Sequence, residues 1–283
     1  MSTVYSHSRL SSFEQCKQKF EFRYLLEIPE DSEGVEAFVG KRVHEILERL
    51  YQFVGREQVP SLRRVLERYH AEFDEHYDED RIRIVRSELD REHYRELGVG
   101  CLSRFYRRYY PFDQDETLGL EKHVLFNLDA PGQYQIQGYI DRVCRAPDGT
   151  IEIQDYKTGK WVPNRKQLDS ERQLALYQLG LIEEFGTDQP MRLVWHYLAR
   201  GQTRTSTRTP AQLDELRTET MNLIDEIEAT SEFPARKSNL CNWCEYKGIC
   251  PAFGGEPPRA NPRGEKPEAR TGIAPPAPLA QGS

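Results

Sequence analysis

The chain has 283 residues, of which 37% are hydrophobic and 30% are charged, and its formal net charge is −7. This hydrophobic fraction is sufficient for a core at this length, so the composition predicts a globular protein. No run of 18 apolar residues occurs, and the first residues lack the apolar stretch of a secretory signal, so neither a membrane association nor export is expected. The negative net charge argues weakly against the broad basic surface that many nucleic-acid-binding proteins present.

Four of the six cysteines form a candidate ligand set. Cys16 lies near the start of the chain, whereas Cys241, Cys244 and Cys250 lie within ten residues of one another near the end. Four thiolates can hold either a tetrahedral zinc ion or an iron-sulfur cluster, and their spacing leaves that choice open. The alternative, buried free thiols, is improbable for three cysteines so close together. Unpaired cysteines at this spacing suit a reducing compartment, so a cytoplasmic location is expected.

A helix is predicted from Val39 to Val54, where six apolar residues recur with helical spacing. His44 lies at the edge of this apolar stripe. Gly40 is one turn earlier on the same face and would let a backbone or a ligand approach the imidazole. Taken alone, a histidine at such a position is more often a half-buried packing residue than a ligand. The charge-rich segment 55–118 that follows is helical in pattern and is interpreted as a helical insertion.

Three strands are predicted after this segment, and they form a meander. The predicted strands are Leu118–Leu128, Tyr134–Val143 and Thr150–Lys157. The sequence A-P-D-G between the last two strands is a strong turn signal. Because side chains alternate along a strand, Asp155 and Lys157 share one face of the third strand, and the preceding strand brings Asp141 beside them.

The neighbouring carboxylates Asp141 and Asp155 indicate a cation site. Two carboxylates placed together repel each other unless they share a proton or a divalent cation. Oxygen ligands suit Mg²⁺ or Mn²⁺, which would lower the pKa of a bound water and stabilise charge on a phosphoryl group, while Lys157 would position the water or the anion. The alternative is an exposed Asp–Lys ion pair, which contributes only about 0 to 1 kcal/mol and needs no such neighbours.

The sequence around these carboxylates resembles a known enzyme family. G-Y-I-D-R at Gly138–Arg142, followed by I-Q-D-Y-K-T-G-K at Ile153–Lys160, resembles the PD-(D/E)XK nuclease superfamily, specifically its RecB-like branch. That branch has a G-x-x-x-H helix upstream, matched here by Gly40–His44, and a Q-x-x-x-Y element downstream, matched by Gln173–Tyr177. All the core motifs occur in order, and the resemblance covers nearly everything from residue 5 to residue 251.

The resemblance implies a role for each motif residue. It implies that His44, Asp141 and Asp155 bind Mg²⁺ or Mn²⁺ and that Lys157 is the catalytic lysine. Glu121 is a weaker candidate, because the family often has an acidic residue on the first strand, but this one could equally face solvent. Gln173 and Tyr177 would face DNA or support the site. For Gln173 a capping box that starts at Ser170 is a competing or additional role.

The cysteine pattern resembles that of particular members of this branch. Members with one early cysteine and a late cysteine trio are similar to AddB and to the CRISPR-adaptation nucleases, whose cysteines bind a [4Fe-4S] cluster. The resemblance implies that Cys16, Cys241, Cys244 and Cys250 hold such a cluster. Closing the loop of more than two hundred residues between Cys16 and the trio costs on the order of 5 kcal/mol in chain entropy, which cluster binding could offset.

The resemblance also implies the fold. It is an α/β fold with a restriction-endonuclease-like core, in which a central mixed β-sheet is flanked by helices. A nuclease domain is predicted over residues 1–253, with the helical insertion at 55–118 and an iron-sulfur cap made of residues 233–253 and Cys16. Residues 254–283 are rich in proline, glycine and charge and nearly without large apolar side chains, so they are predicted to be a disordered tail.

The expected function is metal-dependent DNA cleavage. The resemblance favours an exonuclease that acts on single-stranded DNA or DNA ends in repair, recombination or CRISPR adaptation, with a helicase or a CRISPR-adaptation protein as partner. One alternative is a catalytically silent DNA-binding or assembly subunit of a helicase–nuclease complex, against which the complete acidic-lysine set counts. A second alternative is an RNA-directed nuclease, which the motifs do not discriminate against.

Overall fold

The computed structural model describes residues 3–258, which form eight strands and eight α-helices. The strands are β1 (Val4–Ser6), β2 (Glu33–Gly34), β3 (Ile82–Arg83), β4 (Glu116–Asn127), β5 (Gln135–Arg145), β6 (Ile151–Lys157), β7 (Met191–Tyr197) and β8 (Gln202–Ser206). The helices are α1 (His7–Gln15), α2 (Lys17–Phe20), α3 (Val35–Val54), α4 (Leu62–His76), α5 (Arg91–Tyr109), α6 (Arg165–Asp169), α7 (Gln173–Phe185) and α8 (Pro210–Ala229). A π-helical turn, Glu21–Leu25, continues α2.

The main sheet has six strands and is mixed. β4 and β6 are antiparallel to β5, β1 is parallel to β5, β7 is parallel to β6, and β8 is antiparallel to β7. On one edge of β5, β1 pairs with residues 135–137 and β6 pairs with residues 142–145. Residues 138–141 lie between these two ladders, and in the described sheet neither β1 nor β6 pairs with them.

Helices cover both faces of this sheet, so the predicted α/β fold with a flanked mixed sheet is confirmed. One core includes apolar side chains from α1, α7 and α8 packed against the sheet. The other core is formed by α3, α4 and α5 together with Tyr156 and Leu198. None of the helices within residues 3–258 combines the length and the apolar character that crossing a bilayer requires.

The predicted elements recur with shifted ends. The helix predicted from Val39 begins at Val35, because Gly34 is extended and caps it, and because Val35 and Phe38 join its buried face. β4 begins two residues before the strand predicted from Leu118. β5 ends two residues after the predicted strand end at Val143. The A-P-D-G turn forms, with the backbone N–H of Gly149 donating to the carbonyl of Ala146 at 2.9 Å.

The segment interpreted as a helical insertion contains α4, the short β3 and α5. Its apolar side chains are part of the same core as α3, and Tyr69, Phe73 and Leu102 are fully buried there. Since α3 carries His44, these two helices support the helix that delivers this histidine. The boundaries of the insertion stay a prediction.

The segment 233–253 contains three single turns of 3₁₀-helix and packs against the start of the chain. The Phe233 and Phe20 rings stack with their centroids 6.1 Å apart, and the Tyr246 hydroxyl donates to the carbonyl of Ile28 at 2.9 Å. Lys19 forms a 3.1 Å ion pair with Glu245. These contacts hold the two ends of the domain together. Of the tail predicted at 254–283, residues 259–283 lie outside the described part.

Candidate active site

β5 and β6 separate at Asp141. The last residue pair of their ladder is Arg142 with Gln154. Beyond it, the backbone N–H of Tyr156 donates to Asp141 Oδ2 at 2.7 Å, so a side chain replaces the strand partner. The two strands therefore fork, and the Asp141 carboxylate lies in the fork.

Arg142 holds the base of this fork in place. Its guanidinium is buried and donates to Asp115 Oδ2 and Gln154 Oε1, each at 3.1 Å, and it lies 3.8 Å from the centroid of the Tyr51 ring. A buried guanidinium is stable only when it is paired and hydrogen-bonded in this way. Arg142 therefore positions Asp141 without pointing into the site itself.

His44 reaches Asp141 from α3. Its Nδ1 lies 3.3 Å from Asp141 Oδ1, and its Nε2 lies 2.7 Å from the carbonyl oxygen of Tyr156. Both partners accept hydrogen bonds, so both ring nitrogens carry protons in this arrangement. Burial alone would lower the pKa of His44, but the hydrogen bond and the charge of Asp141 outweigh it and raise the pKa to about 9. In the metal-free protein the imidazole is charged at neutral pH.

Gly40 lets α3 approach the loop after β6. A Cβ at this position would lie 3.3 Å from Thr158 Oγ1, which is tighter than ordinary van der Waals contact. The group that approaches closely at Gly40 is therefore the Thr158 side chain, directly after Lys157, rather than the backbone or ligand expected from the sequence. The absence of a side chain at Gly40 lets α3 lie close to the end of β6. His44 on α3 can then contact both Asp141 and the Tyr156 carbonyl.

Glu121 is turned into the same place by an irregularity in β4. The ladder with β5 shifts register between Thr117 and Gly119, and Glu121 has φ +42°, a left-handed conformation that costs a non-glycine residue about 1 to 3 kcal/mol. One ligand atom from each of His44, Glu121 and Asp141 lies within 4.8 Å of the other two. Burial and the charge of Asp141 raise the pKa of Glu121 to about 7. Glu121 is thus half-buried in the site.

Asp155 and Lys157 lie at the end of β6, on the other side of the fork. Asp155 is only 4% exposed, and Lys157 Nζ lies 2.9 Å from its Oδ1 and 2.8 Å from its Oδ2. Burial raises the pKa of Asp155 to about 6, with the charge of Asp141 adding to this effect and Lys157 opposing it. Although burial works against it, the Asp155 carboxylate raises the pKa of Lys157 above its ordinary value. Lys157 is therefore a cation at neutral pH.

Gln173 and Tyr177 support the site from α7. Lys157 Nζ donates to Gln173 Oε1 at 3.1 Å, so the ammonium is held between this amide and Asp155. The Tyr177 ring lies directly over Gly138, where a Cβ would overlap the ring atoms. Gly138 thus makes the space that lets α7 lie against β5.

The capping box predicted from Ser170 to Gln173 is wrong. Residues 165–169 form a helix of their own, α6, and Ser170 ends that helix. The first N–H groups of α7, those of Gln173 and Leu174, donate to the Glu171 carboxylate at 3.0 and 3.3 Å instead. The Gln173 side chain is therefore free of a capping role and contacts Lys157.

His7 and Arg172 lie beside the site although no motif pointed to them, and the Arg172 guanidinium is ion-paired with Glu14. Arg172 donates weakly to Ser11 Oγ at 3.5 Å, and this hydroxyl lies 3.3 Å from His7 Nε2. Burial, Arg172 and Lys157 together lower the pKa of His7 to about 4, so the imidazole is neutral beside two cations. The only sequence signals were the S-H-S start of α1 and the position of Arg172 directly before Gln173.

This arrangement of carboxylates, histidine and lysine agrees with a comparison of the whole chain with known families. A family model described as the PD-(D/E)XK nuclease superfamily matches residues 4–251. The chain belongs to the PD-(D/E)XK nuclease superfamily. The match implies a hydrolase that acts on nucleic acid, and nucleases of this superfamily typically use divalent metals.

Solved structures of other proteins show a more distant likeness to this PD-(D/E)XK nuclease. A "Putative exonuclease" from Eubacterium rectale is 15% identical, with a TM-score of 0.49 over 86% of this chain and 87% of that one. The protein SSO0001 is 17% identical, with a TM-score of 0.34 over 83% of this chain and 96% of that one. A search of the curated proteins found no match.

The site has the donors that a divalent cation needs. His44, Glu121 and Asp141 present two carboxylates and an imidazole within 4.8 Å of one another. Asp155 Oδ2 is buried and makes no hydrogen bond of regular geometry, although Lys157 Nζ is near it. Asp155 does not belong to the group of three, and the cation that contacts its Oδ2 is the Lys157 ammonium, at 2.8 Å. This set of mainly oxygen donors fits Mg²⁺ or Mn²⁺.

We expect the metal-free nuclease to lose stability as the pH rises from about 6.5 to about 9. The folded-state pKa of His44, about 9, is above its ordinary value of 6.5, so its contribution is present below pH 6.5 and lost as the pH rises through 9. The raised carboxyl pKa values of Glu121 and Asp155 act in the same direction at lower pH, because folding holds protons that the unfolded chain has released. The lowered pKa values of the buried His7 and His196 oppose them there, because the unfolded chain holds protons that these imidazoles have released.

Thermal unfolding in EDTA between about pH 5 and pH 9 measures this loss. Adding Mg²⁺ should reduce it, since a cation binds the deprotonated ligands. The His44→Gln variant should lose the part of the slope above about pH 6.5. A melting temperature that rises with pH above about pH 6.5 in EDTA would contradict the electrostatic account of the site.

The four cysteines of the predicted ligand set lie together. Cys16, Cys241, Cys244 and Cys250 are free thiols and line one cavity of about 170 Å³ at the junction of the two chain ends. They are not among the groups of described residues whose ligand atoms lie within 4.8 Å of one another. A tetrahedral zinc ion with Zn–S bonds of about 2.3 Å would bring its sulfurs closer than that.

Backbone N–H groups also point at two of these sulfurs. The N–H of Arg236 lies 3.5 Å from Cys16 Sγ, and the N–H of Ser238 lies 3.3 Å from Cys241 Sγ. Such contacts favour thiolates and tune iron-sulfur clusters. The donors present therefore fit a four-thiolate cluster.

Proposed function

We propose that this chain is a Mg²⁺- or Mn²⁺-dependent DNA nuclease, and specifically an exonuclease that acts on single-stranded DNA or DNA ends. The observation that carries this proposal is the fork between β5 and β6, where Asp141 and the Asp155–Lys157 ion pair lie together with His44. His44, Asp141 and Asp155 would be the metal ligands, and Glu121 would be a further ligand. When bound, the cation would lower the pKa of a water and stabilise charge on the phosphoryl oxygens.

Lys157 is the proposed catalytic residue. Its ammonium is charged and is held at a defined place by Asp155 and Gln173, so it donates a hydrogen bond to the attacking water or to a phosphoryl oxygen. A donor that is already in position needs no reorganisation as charge develops in the transition state. Asp141 is positioned in turn by the Tyr156 N–H and by His44.

Gln173 and Tyr177 have supporting roles in this proposal. Gln173 holds Lys157 directly. Burial raises the pKa of Tyr177, so its phenol stays protonated, and its ring fixes α7 against Gly138. With Gln173 held by α7, these contacts would position Lys157 at the DNA backbone.

We further propose that Cys16, Cys241, Cys244 and Cys250 hold a [4Fe-4S] cluster in a cap formed with residues 233–253. Their common cavity and the contacts of the Arg236 and Ser238 N–H groups support this assignment. The cluster would fasten the two ends of the nuclease domain. A reducing compartment such as the cytoplasm would keep the thiols available. Repair, recombination and CRISPR adaptation, with a helicase or an adaptation protein as partner, are the proposed settings.

The test is digestion of end-labelled single-stranded DNA, duplex DNA and RNA by anaerobically purified protein, with Mg²⁺, Mn²⁺ or EDTA. Metal-dependent cutting of DNA that is absent from the Asp155→Ala variant is expected, and the product ladder gives the polarity. Cutting of RNA alone would replace DNA as the substrate. If neither the wild type nor the Asp155→Ala variant cuts any substrate while both of them bind DNA, the chain is a binding subunit and the proposed activity is wrong.

A further inference from the structure

The outer face of the β4–β5 hairpin continues from the proposed metal site into an exposed row of side chains. In the ladder, Leu120 pairs with Arg142 and Lys122 with Ile140, which places Glu121 opposite Asp141. The next pair on the same face is His123 with Tyr139, and the one after it is Leu125 with Gln137. Successive rows are two residues apart, which is about 6.6 to 6.8 Å along the strands.

The second row is an aromatic pair open to solvent. Tyr139 is 59% exposed, and its ring lies 4.8 Å from the His123 ring at an interplanar angle of 34°. Leu125 in the third row is 51% exposed. The opposite face of the same strands is buried, as Ile140 and Phe126 show. The hairpin thus exposes the Tyr139 ring beside the carboxylates, whereas Phe126 lies in the core.

The exposed side chains of Tyr139 and Leu125 contribute little to the packing of the fold. Burying a large apolar side chain stabilises a fold by about 1.5 to 3 kcal/mol, and this contribution is largely lost at Tyr139 and Leu125. Among the described residues, His123 has one hydrogen-bond contact, a long one of 3.4 Å with Gln137 Oε1. An exposed aromatic pair next to a site that cuts phosphodiesters has an evident use, because bases stack on aromatic rings in a sequence-tolerant way.

We propose that the His123–Tyr139 pair is a stacking platform for one base of single-stranded DNA, with Leu125 in contact with the next base. This inference rests on the proposed DNA nuclease activity and specifies how the substrate lies in that site. A base stacked on Tyr139 would belong to a nucleotide within about one row of the phosphodiester held at Asp141 and Glu121.

The chemistry of the platform selects an unpaired strand. His123, Tyr139 and Leu125 offer rings and an apolar side chain, which contact the faces of bases and not their phosphates. Base faces are available when a strand is single, whereas in a duplex each base is covered by its stacked neighbours. The net charge of −7 is also adverse to binding by phosphate contacts alone. Stacking would supply the affinity for DNA that a broad basic surface supplies in many other nucleic-acid-binding proteins.

The first test measures binding of a fluorescent single-stranded oligonucleotide with Ca²⁺, and KM and kcat with Mn²⁺. Tyr139→Ala should raise Kd and KM about tenfold, and Tyr139→Phe should stay within about twofold of the wild type, since the ring is retained. The matched control is Tyr110→Ala, because Tyr110 is 58% exposed but lies at the end of α5 against Tyr106 and Phe112. Equal losses in the Tyr139 and Tyr110 variants would overturn the proposal.

The second test uses single abasic nucleotides placed in turn along the oligonucleotide. At one abasic position, the wild type should bind the abasic strand as weakly as the Tyr139→Ala variant binds the intact strand. At that same position, the Tyr139→Ala variant should bind the abasic strand and the intact strand with equal affinity. A Tyr139→Ala effect that is the same at every abasic position, or as large on blunt duplex DNA, would overturn the platform. Failure of the wild type to cut any nucleic acid would instead overturn the proposed function, so the two failures are distinguishable.

Discussion

Replacing Lys157 by alanine is expected to lower kcat for DNA cleavage by about a thousandfold while leaving Kd for DNA within about threefold of the wild-type value. The ammonium is the donor that Asp155 and Gln173 hold in position at the end of β6. A preorganised donor of this kind acts mainly on the transition state, so its loss appears in kcat and not in binding. Single-turnover cleavage of end-labelled DNA with Mn²⁺, beside an anisotropy titration with Ca²⁺, measures both quantities.

Two further variants make this result specific. Lys160→Ala removes an exposed lysine three residues later in the chain and should cut at the wild-type rate. Lys157→Met retains the aliphatic stem without the charge and should be as inactive as Lys157→Ala. Because the substitution leaves the buried Asp155 without its cation, thermal unfolding must show that the variant is folded. A folded Lys157→Ala variant that cuts at the wild-type rate would show that Lys157 is not the catalytic lysine.

Replacing Cys244 by serine is expected to remove the iron and to lower the melting temperature by about 10 to 20 °C. The wild type, purified anaerobically, should contain about four iron atoms per chain. Losing a cross-link across a loop of more than two hundred residues costs on the order of 5 kcal/mol, a large part of the stability of an ordinary domain. At about 2 to 4 °C for each kcal/mol, this cost gives the expected shift.

Iron analysis, the visible absorption of the cluster and thermal unfolding measure this effect. Cys101→Ala is the matched control, because Cys101 is buried in α5 among the helices of the second core and should leave the iron in place. Wild-type protein that contains zinc and no iron would show that the cluster assignment is wrong. Iron retained by the Cys244 variant would remove this cysteine from the ligand set.

Local patterns predicted the elements that carry the site, but not where those elements end. The alternating pattern of β6 and the turn after Arg145 are local features, and both formed as expected. α3 begins four residues before the prediction, because the contribution of Val35 depends on the helices α4 and α5 that pack on it. The predicted capping box at Ser170 failed for a similar reason, since residues before it formed a separate helix.

Glu121 shows most clearly what local reasoning misses. Its strand pattern allowed an orientation toward solvent as readily as one toward the site. The orientation was decided by a register shift in the β4–β5 ladder and by the left-handed conformation at Glu121 itself. A residue keeps such a strained conformation only when the surrounding structure fixes that conformation, and here β5 and α3 supply the surrounding structure.

The sequence by itself determined the family of this nuclease and the chemical groups at its centre. Motif spacing and strand periodicity are properties of short segments, so Asp141, Asp155 and Lys157 were evident without any tertiary contact. Only the tertiary structure decided which groups meet. The fork between β5 and β6, His44 reaching it from α3 and the aromatic row at Tyr139 all depend on pairing between distant segments, and a linear pattern does not encode that register.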